Sequence, residues 1–339
     1  MSEGIARLAI VEQLRGLAAL SVCWFHLTNQ YGDWVRISGE YGWLGVEAFF
    51  VISGLVIPLS LARDWARSGT RAIPGFLLRR FVRIEPPYMA SVLLVVLINL
   101  AAFQFSLFDG PVFVFSIPQI VFHASYLIPL TNYQWLQPVY WTLAYEFVFY
   151  LTIAIGIGLI SSKDSILFGL CYALFLSIVV LGYVTPLLGL FGMGLLVFRT
   201  RAGFDPSSLT ALAIGLTGAA MILEGYIPQA VVGLLTACLI YIPNWSEGVP
   251  NLAGFILNKL GKISFSLYLF HVPIGGKIVN LGKRWLTTPE EHFALSLAAL
   301  GVSLLAAAIF WRLVELPCLK IATAIGNRQR SPGMNRAAI

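Results

Sequence analysis

The stretch LAIVEQLRGLAALSVCWFHLT, residues 8–28, decides how the rest of the chain is read. It is long enough to cross a bilayer as a helix, for which about 20 apolar residues suffice. Yet Arg15 and His26 lie inside it, eleven positions apart. At about 3.6 residues per turn and about 1.5 Å per residue, that separation is about three turns, so both side chains share one face about 16 Å apart. An ionisable group at bilayer depth is costly, faces a protein interior or a water-filled cavity, and is by default a functional-site candidate.

The rest of the composition agrees with a membrane chain. Of 339 residues, 58% are hydrophobic and 11% charged, under half the share of about 25% in a soluble domain. The mean hydropathy is +0.82. The expected fold class is an all-α, polytopic membrane protein. Glu3, Arg7 and Glu12 interrupt the N-terminal region, and no small-residue cleavage site follows a short apolar core, so the first helix is expected to stay rather than be removed as a signal peptide. Cys23, Cys171, Cys238 and Cys318 are far apart and without metal-type spacing, so neither a disulfide framework nor a metal site is expected.

A hydropathy window of about 19 residues places about ten transmembrane helices, near 8–28, 42–62, 86–106, 139–161, 165–183, 186–200, 208–223, 228–243, 263–281 and 293–314. An even count puts both termini on one side. With that side cytoplasmic, the inward segments hold Arg7, Arg63, Arg67, Arg71, Arg79, Arg80, Arg83, Lys163, Arg199, Arg201, Lys259 and Lys262, and the C-terminal region adds Arg312, Lys320, Arg328, Arg330 and Arg336. Arg36, Lys277, Lys283 and Arg284 remain outside. The positive-inside rule therefore sets both termini cytoplasmic. The +6 net charge is accounted for by this asymmetry, and no nucleic-acid partner is expected. The domain reading is one integral membrane domain, 1–325, followed by a basic, disordered cytoplasmic tail, 326–339. Phe113 to Leu130 contains Pro118 and Pro129 and fits no clean span. It reads either as a re-entrant helix covering an outward-facing site, since irregular backbone at membrane depth must be covered by protein or line a cavity, or as an ordinary interfacial loop.

The candidate chemistry comes in two groups. On the inner side, Arg80 and Arg83 precede the third span at an i, i+3 spacing that puts them on one helical face. Paired guanidiniums suit phosphate oxygens, although juxtamembrane arginines also serve topology and anionic headgroups. Toward the outer half lie His26 and, near the start of the second span, Glu47. A histidine beside a carboxylate takes a proton from a hydroxyl, with the carboxylate fixing the tautomer and stabilising the imidazolium; the alternative is a polar pair that only joins helices. The fourth span contributes Trp141, Tyr145 and Glu146, and the ninth Tyr268 and His271. Glu315, at the inner end of the tenth, is placed to pair an arginine. Gly156-x-Gly158 and Gly192-x-Gly194 lie in spans, where small residues serve close helix packing rather than nucleotide binding.

These residues resemble the acyltransferase 3 family of integral membrane acyltransferases over nearly the whole chain. The resemblance lies in a basic residue, ten others and a histidine in the first span (Arg15 to His26), in Arg80-x-x-Arg83, and in the segment Gly45 to Leu55, which is similar to the family's GVDLFFVISGF with Glu47 where Asp is usual. Trp141 to Tyr150, Ser266 to His271 and Glu315-Leu316-Pro317 also look like family features. The family usually has ten spans, and many members carry a hydrolase-like domain after them, for which this chain ends too soon. The resemblance implies transfer of an acetyl or similar short acyl group from a cytoplasmic acyl-CoA, acetyl-CoA foremost, to a sugar hydroxyl in a cell-surface or lipid-linked glycan. It implies a multi-pass protein of the bacterial cytoplasmic membrane, with membrane lipids and other surface-polysaccharide biosynthesis proteins as partners. On that footing Arg80 and Arg83 bind the CoA phosphates and Arg15 the cofactor or developing thiolate. His26 is the general base assisted by Glu47, and Ser53, Trp141, Tyr145, Glu146, Tyr268 and His271 line the substrate or support that lining. A transporter or flippase for a lipid-linked sugar or small anion is the competing class, and a macrolide-type acceptor the competing substrate.

Overall fold

The computed structural model describes residues 9–104, 115–242 and 248–330. Among them there are helices and connections and no strand. The helices are α1 (Ala9–Thr28), α2 (Trp34–Gly39), α3 (Gly45–Ser68), α4 (Ala72–Gln104), α5 (Ile117–Ala124), α6 (Trp141–Ile160), α7 (Ser165–Val180), α8 (Leu188–Arg201), α9 (Ser207–Leu223), α10 (Ile227–Tyr241), α11 (Leu252–Lys262), α12 (Ser264–Phe270), α13 (Lys277–Gly282), α14 (Pro289–Phe310) and α15 (Leu316–Arg330). Three helical stretches, Trp34–Ala102, Trp141–Ile160 and Pro289–Asn327, are long and apolar enough to cross a membrane. With shorter apolar helices at Ser165–Val180, Ser207–Leu223 and Ile227–Tyr241, they make this an all-helical membrane protein. Glu3 and Arg7, the start of the proline-bearing stretch at Phe113 and Val114, and the end of the basic tail, 331–339, lie outside the described residues. The part of that tail from Gly326 to Arg330 continues α15, because the sequence from Lys320 on holds no Pro before position 332 and its one Gly in that stretch, Gly326, lies near the helix end.

The chain divides into two compact units. The first comprises 1–22, 41–73 and 148–264. Its centre is the packing of α3 on α8, where a Cβ on Gly54 would strike the Phe191 carbonyl and one on Gly194 the Val51 carbonyl. The small residues at 192–194 thus serve helix contact. A second close approach joins α1 to α11: a Cβ on Gly16 would meet Leu257 O and one on Gly261 would meet Glu12 O. Beside it the Gln13 amide accepts from Val249 N (2.8 Å) and donates to Val249 O (3.1 Å). Arg199 is fully buried. It holds Asp205 by Nε (2.5 Å) and Nη2 (2.7 Å), gives Nη1 to Ile160 O (2.7 Å) and Ser162 O (3.1 Å), and lies 3.8 Å over the Phe168 ring. For the Asp205 carboxyl, burial acts upward, but hydrogen bonds from Arg199 and Ser165 and the guanidinium charge outweigh it and hold it below the usual carboxylate range.

The second unit comprises 23–40, 74–147 and 265–339. Helix α4 carries Pro86 and Pro87 in its interior; each lacks an N–H, which opens the ladder at that turn, and in a membrane protein neighbouring groups make this tolerable. The helix runs unbroken through both prolines and begins at Ala72, fourteen positions ahead of the third span's expected start at 86. The segment after α4 turns back along it. The Tyr88 hydroxyl pairs with His123 Nδ1 (2.8 Å), Tyr126 donates to Glu85 Oε2 (2.7 Å), and Ser91 meets the Tyr140 hydroxyl (3.0 Å). Tyr88 precedes Gln104 by sixteen residues, about 24 Å of helix, so α5 and its flanks pack against the middle of α4 rather than its end.

Two turns of wider helix interrupt the last part of the chain, at His271–Gly276 and Trp311–Glu315. Pro273 lies within the first and Pro317 two residues past the second, and the missing N–H of a proline frees a carbonyl one turn back. Such π-type turns inside α-helices are frequent at functional sites.

Candidate active site

The second unit brings two of the four histidines together. His26, half-buried near the end of α1, has its ring centroid 5.2 Å from that of His271, at 50°. The approach follows from packing nearby on each segment: a Cβ on Gly275 would meet Leu27 Cδ2 at 2.8 Å and Ala299 O at 3.4 Å, so the wide turn seats against α1 and α14 only because position 275 has no side chain.

His271 itself is fully buried. Its Nδ1 lies 3.0 Å from Leu267 O; a carbonyl can only accept, so Nδ1 carries the proton and Nε2 presents a lone pair. That Nε2 has no hydrogen-bond partner among the described residues. Tyr268, with its ring centroid 5.9 Å from that of His271, is fixed by donating to Val139 O (2.7 Å) and by a contact with Thr142 Oγ1 (2.8 Å). Ser266, on the same short helix, donates to the buried Glu315 (2.5 Å). Thus three expected residues, His26, Tyr268 and His271, form one cluster.

The remaining expected residues have the following surroundings. In the second unit Trp141 and Tyr145 meet edge to face at 5.4 Å, with Glu146 half-buried one residue on. Arg80 and Arg83 lie half-buried on the continuous α4, and the Arg80 guanidinium sits 5.7 Å from the Phe76 ring centre. In the first unit Arg15 donates from Nε (3.3 Å) and Nη2 (3.2 Å) to Ser264 Oγ. Glu47, in the first turn of α3, is buried, and its Oε2 lacks a hydrogen-bond partner among the described residues; Ser53 is half-buried further along the same helix.

Sequence reading did not find the polar cluster around α5. There His123 is buried, with Nδ1 on Tyr88 and Nε2 accepting from Leu136 N (3.2 Å). Tyr126 holds a left-handed backbone (φ 58°) while stacked between Tyr88 (5.5 Å) and Phe147 (5.0 Å). Nor did it find Ser264 or Thr142 as partners of Arg15 and Tyr268. Nothing local in the sequence marks these partners; Pro273, two positions after His271 in an apolar run, marks only a break in the helix beside a residue already expected.

Within the second unit the described residues thus hold an imidazole pair, one ring of which is buried with an unpartnered nitrogen lone pair. The chain belongs to the acyltransferase family: the family model described as an acyltransferase domain matches residues 8–312. Among similar proteins, acyltransferase MdmB of Streptomyces mycarofaciens is 23% identical over 372 aligned positions, covering 95% of this chain and 94% of that protein. The peptidoglycan O-acetyltransferase OatA of Listeria monocytogenes is 30% identical over 87 residues, 26% of this chain and 13% of that protein. No solved structure matches the chain.

Proposed function

We propose that this protein transfers an acetyl or similar short acyl group from cytoplasmic acyl-CoA to a hydroxyl of a sugar in a cell-surface or lipid-linked glycan. Residues 1–325 act as one integral membrane domain of ten spans with both termini in the cytoplasm, in a bacterial cytoplasmic membrane. The observation that carries this reading is the imidazole pair, His26 beside His271, within a chain of an acyltransferase family.

In the proposed reaction His26 removes the acceptor's hydroxyl proton as its oxygen attacks the thioester carbonyl. The carbon–sulfur bond breaks, and the proton returns to the departing CoA thiolate, giving an ester and a free thiol. Arg80 and Arg83 hold the CoA phosphates, where paired N–H donors match phosphate oxygens. Arg15 serves the cofactor or the developing thiolate, and Glu47 steadies the imidazolium by its charge. Ser53, Trp141, Tyr145, Glu146 and Tyr268 line or support the substrate's path.

The test incubates purified protein in nanodiscs with radiolabelled acetyl-CoA, with and without an extract of lipid-linked surface glycans, and in parallel with a macrolide alcohol. Label in the glycan supports the reading, and label in the macrolide alone moves the acceptor class. No label transfer and no CoA release from folded protein, across several acyl donors, overturns it in favour of a transporter.

A further inference from the structure

We infer that His271 positions His26, its Nε2 accepting the His26 ring N–H and so fixing which nitrogen of His26 faces the acceptor hydroxyl. The inference rests on the acyl-transfer reading and sharpens it: the tautomer is set by a neutral imidazole in the same unit.

The first ground is the state of His271. Its Nδ1 proton is committed to Leu267 O at 3.0 Å, so the only hydrogen-bonding capacity left is the Nε2 lone pair. That atom is buried and has no hydrogen-bond partner among the described residues. Leaving a buried polar atom unsatisfied costs about 1–3 kcal/mol, whereas an apolar ring of the same shape would cost nothing of this kind. A lone pair kept in such a place therefore calls for an N–H or O–H donor.

The second ground is what stands beside it. His26 is centred 5.2 Å away with a 50° tilt, a separation at which two ring nitrogens reach hydrogen-bond distance when both turn toward the line of centres. The hydroxyl of Tyr268 is turned to Val139 O and Thr142 instead. Gly275 and the wide turn at His271–Gly276 hold the pair together against Leu27. When His26 takes the hydroxyl proton, its second N–H remains on His271, and the charge is stabilised by that bond. A general base must be held within reach of its proton in the correct tautomer, and the neutral acceptor does so without adding a second buried charge.

The test compares His271→Phe and His271→Gln in the labelled acetyl-CoA and glycan-extract assay, with thermal stability followed alongside. Phe keeps a ring and removes the Nε2 lone pair together with the Nδ1–H bond to Leu267 O. Gln offers an amide oxygen at the depth of Nε2. The inference predicts that His271→Phe folds as well as wild type, loses about 100-fold in kcat, the scale of a mispositioned base, and keeps its KM for acetyl-CoA. It predicts that His271→Gln recovers activity to within about tenfold of wild type. A purely structural histidine predicts the reverse order, with Phe benign and Gln damaging. Wild-type kcat in a folded His271→Phe protein overturns the inference and leaves the acyl-transfer reading standing. Failure of the wild-type protein itself to transfer label overturns that reading, and the inference with it.

Discussion

Arg199 and His271 are both shut off from solvent, and they stand in opposite conditions. Arg199 directs its guanidinium to both oxygens of Asp205 and to the carbonyls of Leu159, Ile160 and Ser162, with Phe168 beneath. His271 has one nitrogen engaged and the other empty among the described residues. A buried charge survives only when paired and hydrogen-bonded, and Arg199 meets that requirement within its own unit, so it is part of the frame. An unpartnered lone pair has no such account within the frame, and the donor inferred for it is the neighbouring His26 ring. The contrast extends to the surroundings. Close glycine contacts of α3 with α8 lie around the frame, and two proline-marked wide turns around the histidines and Glu315.

The comparison breaks most visibly at Arg199. Arg199→Met leaves Asp205 without its guanidinium, and breaking one side of a buried pair costs about 3–5 kcal/mol. Thermal unfolding in detergent should show that loss, while transfer per folded molecule stays at the wild-type rate; a variant as stable as wild type would show the pair to be dispensable. Gly194→Val drives a side chain into the Val51 carbonyl, an overpacking worth about 1–3 kcal/mol, again read as lost stability with KM for acetyl-CoA unmoved. On the other side of the comparison, Arg80→Ala should leave stability untouched and raise KM for acetyl-CoA about tenfold or more, since a hydrogen bond to a charged group is worth about 1.5–3 kcal/mol. An unchanged KM would return Arg80 to a topological role.

The smallest effect is expected in the connection between α1 and α2. Asp33 meets His292 Nδ1 at 2.6 Å, and the His292 ring stacks on Tyr31 at 4.2 Å. The Asp33 carboxyl is held below its ordinary value chiefly by the His292 hydrogen bond, aided by Val35 N–H and the imidazole charge against opposing burial. A lowered folded value means that the contribution is complete above the unfolded pKa of about 3.9 and fades as pH falls through the folded value. Asp33→Asn should therefore melt slightly below wild type at pH 7 and level with it at the acid end. Parallel melting curves across the whole range would show the pair contributes nothing.

Much of this was legible in the sequence. Long apolar runs are read by length alone, so the cores of α1, α3, α6 and α14 fall within their expected spans, and the Arg80–Arg83 face needed only the i, i+3 rule. Small residues at 192–194 were read as packing, and Gly194 packs against α3. What escaped depended on partners remote in the chain. Ser264 beside Arg15 is 249 positions away, and nothing local in either segment announces the other. The proline-marked turn escaped because hydropathy averages over it: 263–281 reads as one span, yet it is α12, the His271–Gly276 turn and α13. Arg199 was read as an inward topological charge, since a charge at a helix end looks the same in sequence whether solvated or locked to Asp205.

The most direct test of the central claim measures label transfer from acetyl-CoA by wild-type protein and by His26→Ala, both shown by thermal melting to be equally folded. The account predicts a fall of about 10²- to 10⁴-fold in turnover, with acetyl-CoA binding retained. Equal turnover by the two proteins would contradict it and remove the histidine pair from the chemistry.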